Sequence, residues 1–256
     1  MKRLICTFLT ILTLLSTVFY VGATDISADA NVPMGATNRS YYDTLSNEQL
    51  LAMALSDPSL TASEIAEIKL KYQIIQPGSY MKTTRTANKT LNMSPRMQEQ
   101  NNWCAAATAQ QMVWYFTGWY PHTQSQMVNT YGIPAGAAAE SVMNYVNARQ
   151  SANTYIRVNV TNRAGFDSAV NYMIQTKNAP IIFTFKVTQA RLNAGYYLYR
   201  TDGHYTNLDG QRYNSEYRIV DPYYFSQYCG TGSGIVWWDA SKLWTIHSDH
   251  TTYLFY

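Results

Sequence analysis

Residues 98–116 read QEQNNWCAAATAQQMVWYF and place Cys104 at the start of a helical pattern. Apolar residues then recur at helical spacing: Ala106, Ala109, Met112, Val113 and Phe116. Gly118 follows as a stop signal, so the pattern predicts a helix of about four turns that begins near the cysteine. Because a helix amino terminus favours a thiolate, Cys104 is a candidate nucleophile. A metal ligand and a buried structural thiol remain the alternatives.

The composition bounds the kind of protein. Of 256 residues, 46% are hydrophobic and 14% are charged, which is typical of one folded domain with an appendage and not of a disordered chain. The formal net charge is +3 and the basic residues are scattered, so we expect no nucleic-acid partner. Three cysteines are too few for a disulfide framework, although a single Cys104–Cys229 bridge stays open.

The amino terminus resembles an export signal. MKR precedes the apolar run LICTFLTILTLLSTVFYVGA, and Val21 and Ala23 fit a small-x-small cleavage site. A cut after Ala23 makes residues 1–23 a signal peptide and lowers the formal charge to +1; a second candidate site ends at Ala30. We expect a secreted protein with no membrane association in its mature form. An uncleaved membrane anchor is the alternative, because the run is just long enough to span a bilayer.

Residues 24–93 differ in composition from the rest of the chain. Two capping boxes, Ser46 with Gln49 and Thr61 with Glu64, each precede a helix-patterned run and predict a helical hairpin joined at DPSL. The stretch QPGSYMKTTRTANKTLNMS that follows is basic and turn-rich, which is typical of an exposed linker.

From residue 94 onward, helical patterns come first and strand patterns later, which predicts an α+β fold with an antiparallel sheet. The strand candidates include PIIFTFKV, YRIVDPYY and TTYLFY, and turns are expected at RTDGHY, LDGQRYN and CGTGSG. A hairpin over residues 205–221, turning at Asp209-Gly210 or near Asn214, would bring His204 beside Asp221.

A nucleophilic thiolate needs an imidazole, and the chain has four histidines. His204 follows a glycine at the start of a strand pattern, and Asp221 at the end of the next strand could orient it. His122 is expected to be exposed or capping. His247 and His250 could bind a metal but lack a third nearby ligand. For His204 and Asp221, solvated turn residues are the alternative.

Together, Gln98, the box NNWCAAA, Gly203-His204-Tyr205 and YRIVDPYY resemble the papain-like cysteine peptidases, and within them the bacterial C39-like branch. The resemblance covers about residues 93–225 and preserves the order Cys, His, Asp. It implies a papain-like fold with a helical amino-terminal lobe packed on an antiparallel sheet. Ala105 stands where the family has a second tryptophan, which leaves the packing beside the substrate open.

The resemblance also implies the site roles. Cys104 would be the nucleophile, His204 the general base and acid, and Asp221 the residue that orients His204. The side-chain amide of Gln98 would complete an oxyanion hole with the Cys104 backbone N–H, with Gln100 as the alternative donor. The expected contacts with substrate are Trp103, as a wall of the cleft, and Tyr205.

We therefore expect residues 94–256 to be a secreted thiol peptidase domain that acts as a monomer on a protein or peptide, with neither cofactor nor metal. Residues 24–93 would be a propeptide whose helical hairpin covers the cleft of a zymogen until the linker is cut, or a spacer that holds the domain off a surface. Two alternatives retain the fold: a cell-wall amidase or acyl transferase, and a non-catalytic protein that binds peptide or sugar through a tyrosine-rich surface around GYYLYR and DPYYFSQY.

Overall fold

A computed structural model of the chain describes residues 41–78, 88–213, 215–223 and 232–256. It has a helical amino-terminal lobe packed on an antiparallel sheet, so the predicted α+β class is confirmed. The predicted signal peptide, residues 79–87 of the predicted linker, and Cys229 lie outside the described residues.

The helices begin, in most cases, at a residue whose side chain caps the first turn, and one of them, α6, is continued by a π-helical segment, Tyr172–Lys177. They are α1 (Asn47–Ala54), α2 (Ala62–Ile74), α3 (Cys104–Thr117), α4 (Gln124–Asn129), α5 (Ala139–Asn147), α6 (Arg163–Asn171), α7 (Gln189–Asn193) and α8 (Ala240–Ser248). Neither α7 nor α8 was predicted, because the later part of the chain was expected to form strands.

The strands are β1 (Lys89–Thr90), β2 (Arg157–Asn159), β3 (Ile181–Val187), β4 (Thr201–Arg212), β5 (Glu216–Val220), β6 (Ile235–Asp239) and β7 (Tyr253–Phe255). Their order across the sheet is β2-β7-β3-β4-β5-β6, and β1 pairs with β4 outside that path. The near-continuous apolar run of β3 is buried, as expected for a central strand covered on both faces. Helix α3 packs on β4 and α5, and α8 packs on β3.

The predicted helical hairpin α1–α2 is present, with both capping boxes formed. It packs at the β2–β7 edge, where Tyr72 Oη donates to Arg157 O (2.6 Å) and Tyr256 Oη donates to Lys71 O (2.7 Å). The buried ammonium of Lys71 donates to Asn153 Oδ1 (3.0 Å). Burial lowers the pKa of this lysine to about 8. Within the described residues, no hydrogen bond joins the hairpin to the candidate site.

Two predicted turns are wrong, because β4 runs without interruption from Thr201 through both RTDGHY and Asp209-Gly210. Asp209 instead lies at a β-bulge, where its buried carboxylate accepts from Met93 N (2.9 Å) and from Arg218 Nη1 (2.8 Å). Gly210 is needed for close packing, since a Cβ there would lie 3.0 Å from the backbone oxygen of β1. The chain reverses between Arg212 and Glu216, which confirms the other predicted turn position, at the end of LDGQRYN.

Candidate active site

Cys104 is the first residue of α3, a free thiol that is fully buried. Trp103 precedes it in the N-cap position and supplies no side-chain cap, whereas α1, α2, α4, α6, α7 and α8 are all capped by a side chain. The first backbone N–H groups of a helix have no partner within the helix. Cys104 therefore lies where backbone dipoles favour negative charge. The small residues that follow, Ala105–Ala107, are buried.

His204 lies near the start of β4, fully buried, with the two ring nitrogens in different surroundings. Nε2 donates to Asp221 Oδ1 at 2.9 Å. Nδ1 has no hydrogen-bond partner among the described residues. Burial lowers the pKa of His204, but the charge and hydrogen bond of Asp221, with a smaller contribution from nearby Cys104, outweigh it and raise the pKa to about 9. The imidazole is thus bound to the carboxylate through Nε2 and keeps Nδ1 free.

Asp221 follows the last residue of β5 and is almost completely buried. Besides His204, its Oδ1 accepts from the Tyr223 backbone N–H at 2.8 Å. Its Oδ2 accepts from the hydroxyls of Tyr197 (2.9 Å) and Tyr199 (2.6 Å). Burial would raise the pKa of this carboxyl, yet His204 and the other donors hold it below its usual value. Asp221 is therefore a fully hydrogen-bonded, ionised carboxylate.

Gln98 is fully buried, and its side chain closes the loop that leads into α3. Nε2 donates to the backbone oxygens of Gln100 (2.9 Å) and Asn101 (2.6 Å), while Oε1 has no partner in the described part of the chain. Its backbone N–H donates to Pro222 O (2.8 Å), which joins the cysteine loop to the segment after Asp221. In this geometry both amide protons of Gln98 serve its own loop.

The structure shows no hydrogen bond from the other predicted site residues to Cys104, His204 or Asp221 in the described part of the chain. Trp103 is half-buried beside Cys104, and Gln100 is exposed. Tyr205 is fully buried and donates its hydroxyl to Ala137 O at 2.9 Å. His122 lies outside the site, where its Nδ1 is 2.8 Å from Tyr145 Oη.

The tyrosines around the carboxylate were not predicted. The alternative of a binding protein placed GYYLYR and DPYYFSQY on an exposed surface, but Tyr197, Tyr199 and Tyr223 are buried, so that alternative is wrong for these three residues. The rings of Tyr199 and Tyr223 lie beside the imidazole, with centroids 5.8 and 6.0 Å from that of His204. Tyr197 and Tyr199 precede the His204 strand and Tyr223 follows Asp221 by two residues, but nothing in the local sequence signals that they are buried.

Buried amides that hold the segment before Cys104 were also missed. Gln124 Nε2 donates to Met97 O (2.9 Å), and its Oε1 accepts from Glu99 N (2.9 Å), so one side chain holds both neighbours of Gln98. Gln111 of α3 donates to Arg96 O (3.1 Å). These bonds fix the path of the chain ahead of the thiol.

The described ranges contain no group of three or more His, Cys, Asp and Glu residues that could hold a metal ion. His247 is buried with Nδ1 2.7 Å from Thr184 O, and burial lowers its pKa to about 4. No helix in the described part of the chain has both the length and the apolar content needed to cross a membrane.

A thiol at a helix amino terminus, with an imidazole on one strand bonded to a carboxylate at the end of the next, is the arrangement of the papain-like class. The chain belongs to the Peptidase_C39 like family, whose model matches residues 90–235, more than half of the sequence. Membership supports a peptidase-like fold.

A crystal structure of a candidate C39-like peptidase from Bacillus anthracis is similar to this protein, with a TM-score of 0.46 and 12% sequence identity. The similarity covers 67% of this chain and 98% of that one. Among curated proteins, none matches this chain.

Proposed function

We propose that this protein is a secreted cysteine peptidase that hydrolyses peptide bonds with Cys104, His204 and Asp221. The observation that carries the proposal is the arrangement of His204, whose Nε2 is bound to Asp221 Oδ1 while its Nδ1 has no hydrogen-bond partner among the described residues. Cys104 begins the helix that packs on the His204 strand. A buried aspartate that fixes the tautomer, a free ring nitrogen and a thiol at a helix amino terminus are groups that thiol acyl transfer requires.

The protonation state of His204 sets the first step. Because its pKa is raised to about 9, the imidazole keeps its proton at neutral pH and stabilises a Cys104 thiolate beside it. The thiolate sulfur attacks the carbonyl carbon of the scissile bond. His204 then gives its Nδ1 proton to the leaving amine nitrogen, and a thioester remains on Cys104.

Hydrolysis reverses these roles. The neutral imidazole removes a proton from water, whose oxygen attacks the thioester carbon and releases the carboxylate product and Cys104. The oxyanion of each tetrahedral intermediate would be stabilised at the amino terminus of α3 by the Cys104 N–H and by Gln98. For Gln98 to donate, Nε2 has to exchange one of its two loop carbonyls for the oxyanion.

The test is cleavage of an unfolded protein such as reduced casein, followed by mass spectrometry. The protein cut within residues 79–87 should release peptides, and Cys104→Ala and His204→Ala cut in the same way should release none. Cys229→Ala is the matched control, because it removes the other cysteine expected in the mature chain and should cleave normally. If the cut protein is inert while its Cys104 still titrates with His204, the peptidase proposal fails and an amidase, an acyl transferase or a binding protein of the same fold takes its place.

We also propose that the protein is exported and that it is made as an inactive precursor. The sequence of residues 1–23 supports export, and residues 24–93 are proposed to restrain the enzyme before it is processed. The contacts of α1–α2 at the β2–β7 edge support a structural role for that hairpin. Equal activity of full-length and processed protein would eliminate the restraint.

A further inference from the structure

The Asp221 carboxylate has two hydroxyl donors that the proposed mechanism does not use. Tyr197 and Tyr199 both donate to Oδ2, at 2.9 and 2.6 Å. Oδ1 accepts from His204 Nε2 and from the Tyr223 backbone N–H, so each oxygen has two donors. The tyrosines are nine-tenths or more buried, with 3% and 7% of their surface exposed, so bulk water does not replace these bonds.

We infer that Tyr197 and Tyr199 are positioning residues of the thiol site, which keep Asp221 ionised and keep its Oδ1 directed at His204. The inference deepens the proposed function and rests on it in one respect, that Cys104 is the reacting thiol. A buried carboxylate with a bare oxygen can take up a proton or rotate that oxygen toward the imidazole. Two hydroxyls on Oδ2 oppose both changes, because bonds to an ionised acceptor are strong.

The segment that carries the two tyrosines is anchored from several sides. It lies between α7 and β4, and Tyr196 O accepts from the Trp238 indole N–H at 2.7 Å. The Tyr197 ring packs against Phe185, with centroids 4.7 Å apart, and the Tyr199 ring lies edge-on to His204. The hydroxyls are thus aimed at Oδ2 by packing.

The titratable groups around Asp221 come from four parts of the fold: His204 on β4, Tyr197 and Tyr199 before it, Tyr223 after β5, and Cys104 on α3. Burial and the charge of Asp221 raise the pKa of Tyr199 well above its ordinary value, so this hydroxyl keeps its proton. The hydrogen bond from Tyr199 in turn helps to lower the pKa of Asp221.

The test measures the rate at which iodoacetamide alkylates Cys104 as a function of pH, in the full chain, with the site identified by peptide mass. Tyr199→Phe should move the acid limb of the profile up by about one pH unit, with roughly tenfold slower alkylation on that limb, because the carboxylate loses one charge-assisted bond. Adding Tyr197→Phe should move it further. The basic limb should stay near its original position.

Tyr217→Phe is the matched control, because it also removes a buried hydroxyl that donates to a carboxylate, that of Asp167, away from the site. A merely structural role would lower the melting temperature in all these variants and leave the acid limb in place, and that result would overturn the inference. In an Asp221→Asn background, Tyr199→Phe should no longer move the limb. A shift of equal size in that background would also overturn it.

Poor folding of Tyr199→Phe would leave Tyr197→Phe as the same test on the same oxygen. If neither folds, the carboxyl ¹³C shift of Asp221 in the unaltered protein decides: ionisation that persists below the usual pKa of about 3.9 supports the inference, and protonation at or above it overturns the inference. Alkylation is read without peptide cleavage, so a protein that cleaves nothing but shows the shift would refute the peptidase proposal alone.

Discussion

Replacing Asp221 with asparagine should lower the pKa of His204 by about 3 units. The Nε2–Oδ1 distance is 2.9 Å, and a close charge pair in a protein environment is worth about 4 kcal/mol, which corresponds to roughly 3 pKa units. The asparagine oxygen still accepts from Nε2–H but carries no charge, while burial continues to oppose protonation. The pKa of His204 should therefore fall from about 9 to the region of 6 or below.

The assay is an NMR titration of the histidine ring nitrogens in protein labelled with ¹⁵N-histidine. The chain has four histidines, and loss of one signal in His204→Gln assigns the resonance of interest. His247 is an internal control, because it is fully buried with a pKa lowered to about 4 and bonds to a backbone oxygen. Its titration should be the same in both proteins.

The reasoning is refuted if His204 titrates near its ordinary value in the unaltered protein, or if Asp221→Asn leaves a raised pKa unchanged. Either result would mean that the carboxylate does not control the imidazole. The Asn variant should retain some alkylation of Cys104, since the tautomer with a free Nδ1 survives, and Cys-His-Asn sites use that arrangement.

The raised pKa of His204 should also change how the stability of the protein depends on pH. The raised pKa of His204 contributes stability that is fully present below about pH 6.5 and is lost as the pH rises through about 9. Between about pH 6 and 10, the free energy of unfolding should therefore fall by about 3 kcal/mol more in the unaltered protein than in Asp221→Asn, because the contributions of other groups cancel in the comparison. Urea denaturation at each pH measures this difference, and the same pH dependence of the free energy of unfolding in both proteins would contradict the prediction. Gly210→Ala should cost about 1–3 kcal/mol, because the new methyl meets Lys89 O at 3.0 Å, and an unchanged melting temperature would disprove the close approach. Tyr72→Phe should cost about 1 kcal/mol by removing the bond that ties α2 to β2, as measured by chemical denaturation, and no loss would show that packing alone holds the hairpin.

Elements with a local signal could be predicted from the sequence. The α1–α2 hairpin follows from two capping boxes, each written within four residues, and both boxes form. Helix α3 follows from apolar residues at helical spacing before Gly118, and that residue adopts the left-handed conformation as the C-cap. In these elements the fold keeps the structure that the local signal favours.

The Asp209-Gly210 pair shows where local reasoning fails. In isolation the pair favours a hairpin turn. In the fold, the glycine lets β1 approach, and the buried aspartate pairs with Arg218, which lies on the next strand. Both requirements arise from tertiary contacts, which a local turn preference does not contain.

The environment of Asp221 could be predicted in part. Its position at the end of an apolar strand suggested a partner for His204, and the structure brings the two together. The hydroxyls of Tyr197 and Tyr199 could not be foreseen, because a tyrosine-rich segment with few charges has the same composition whether it lies on a surface or covers a carboxylate. Which of these two positions a tyrosine takes depends on the fold.

The attachment of the α1–α2 hairpin bears on how a cleaved form of this protein would behave. The hydroxyls of Tyr72 and Tyr256 bind the hairpin to the β2–β7 edge, and neither bond involves the connecting residues 79–87. A cut within that connection would therefore yield two polypeptides that migrate apart on a denaturing gel yet elute together as one particle from a sizing column.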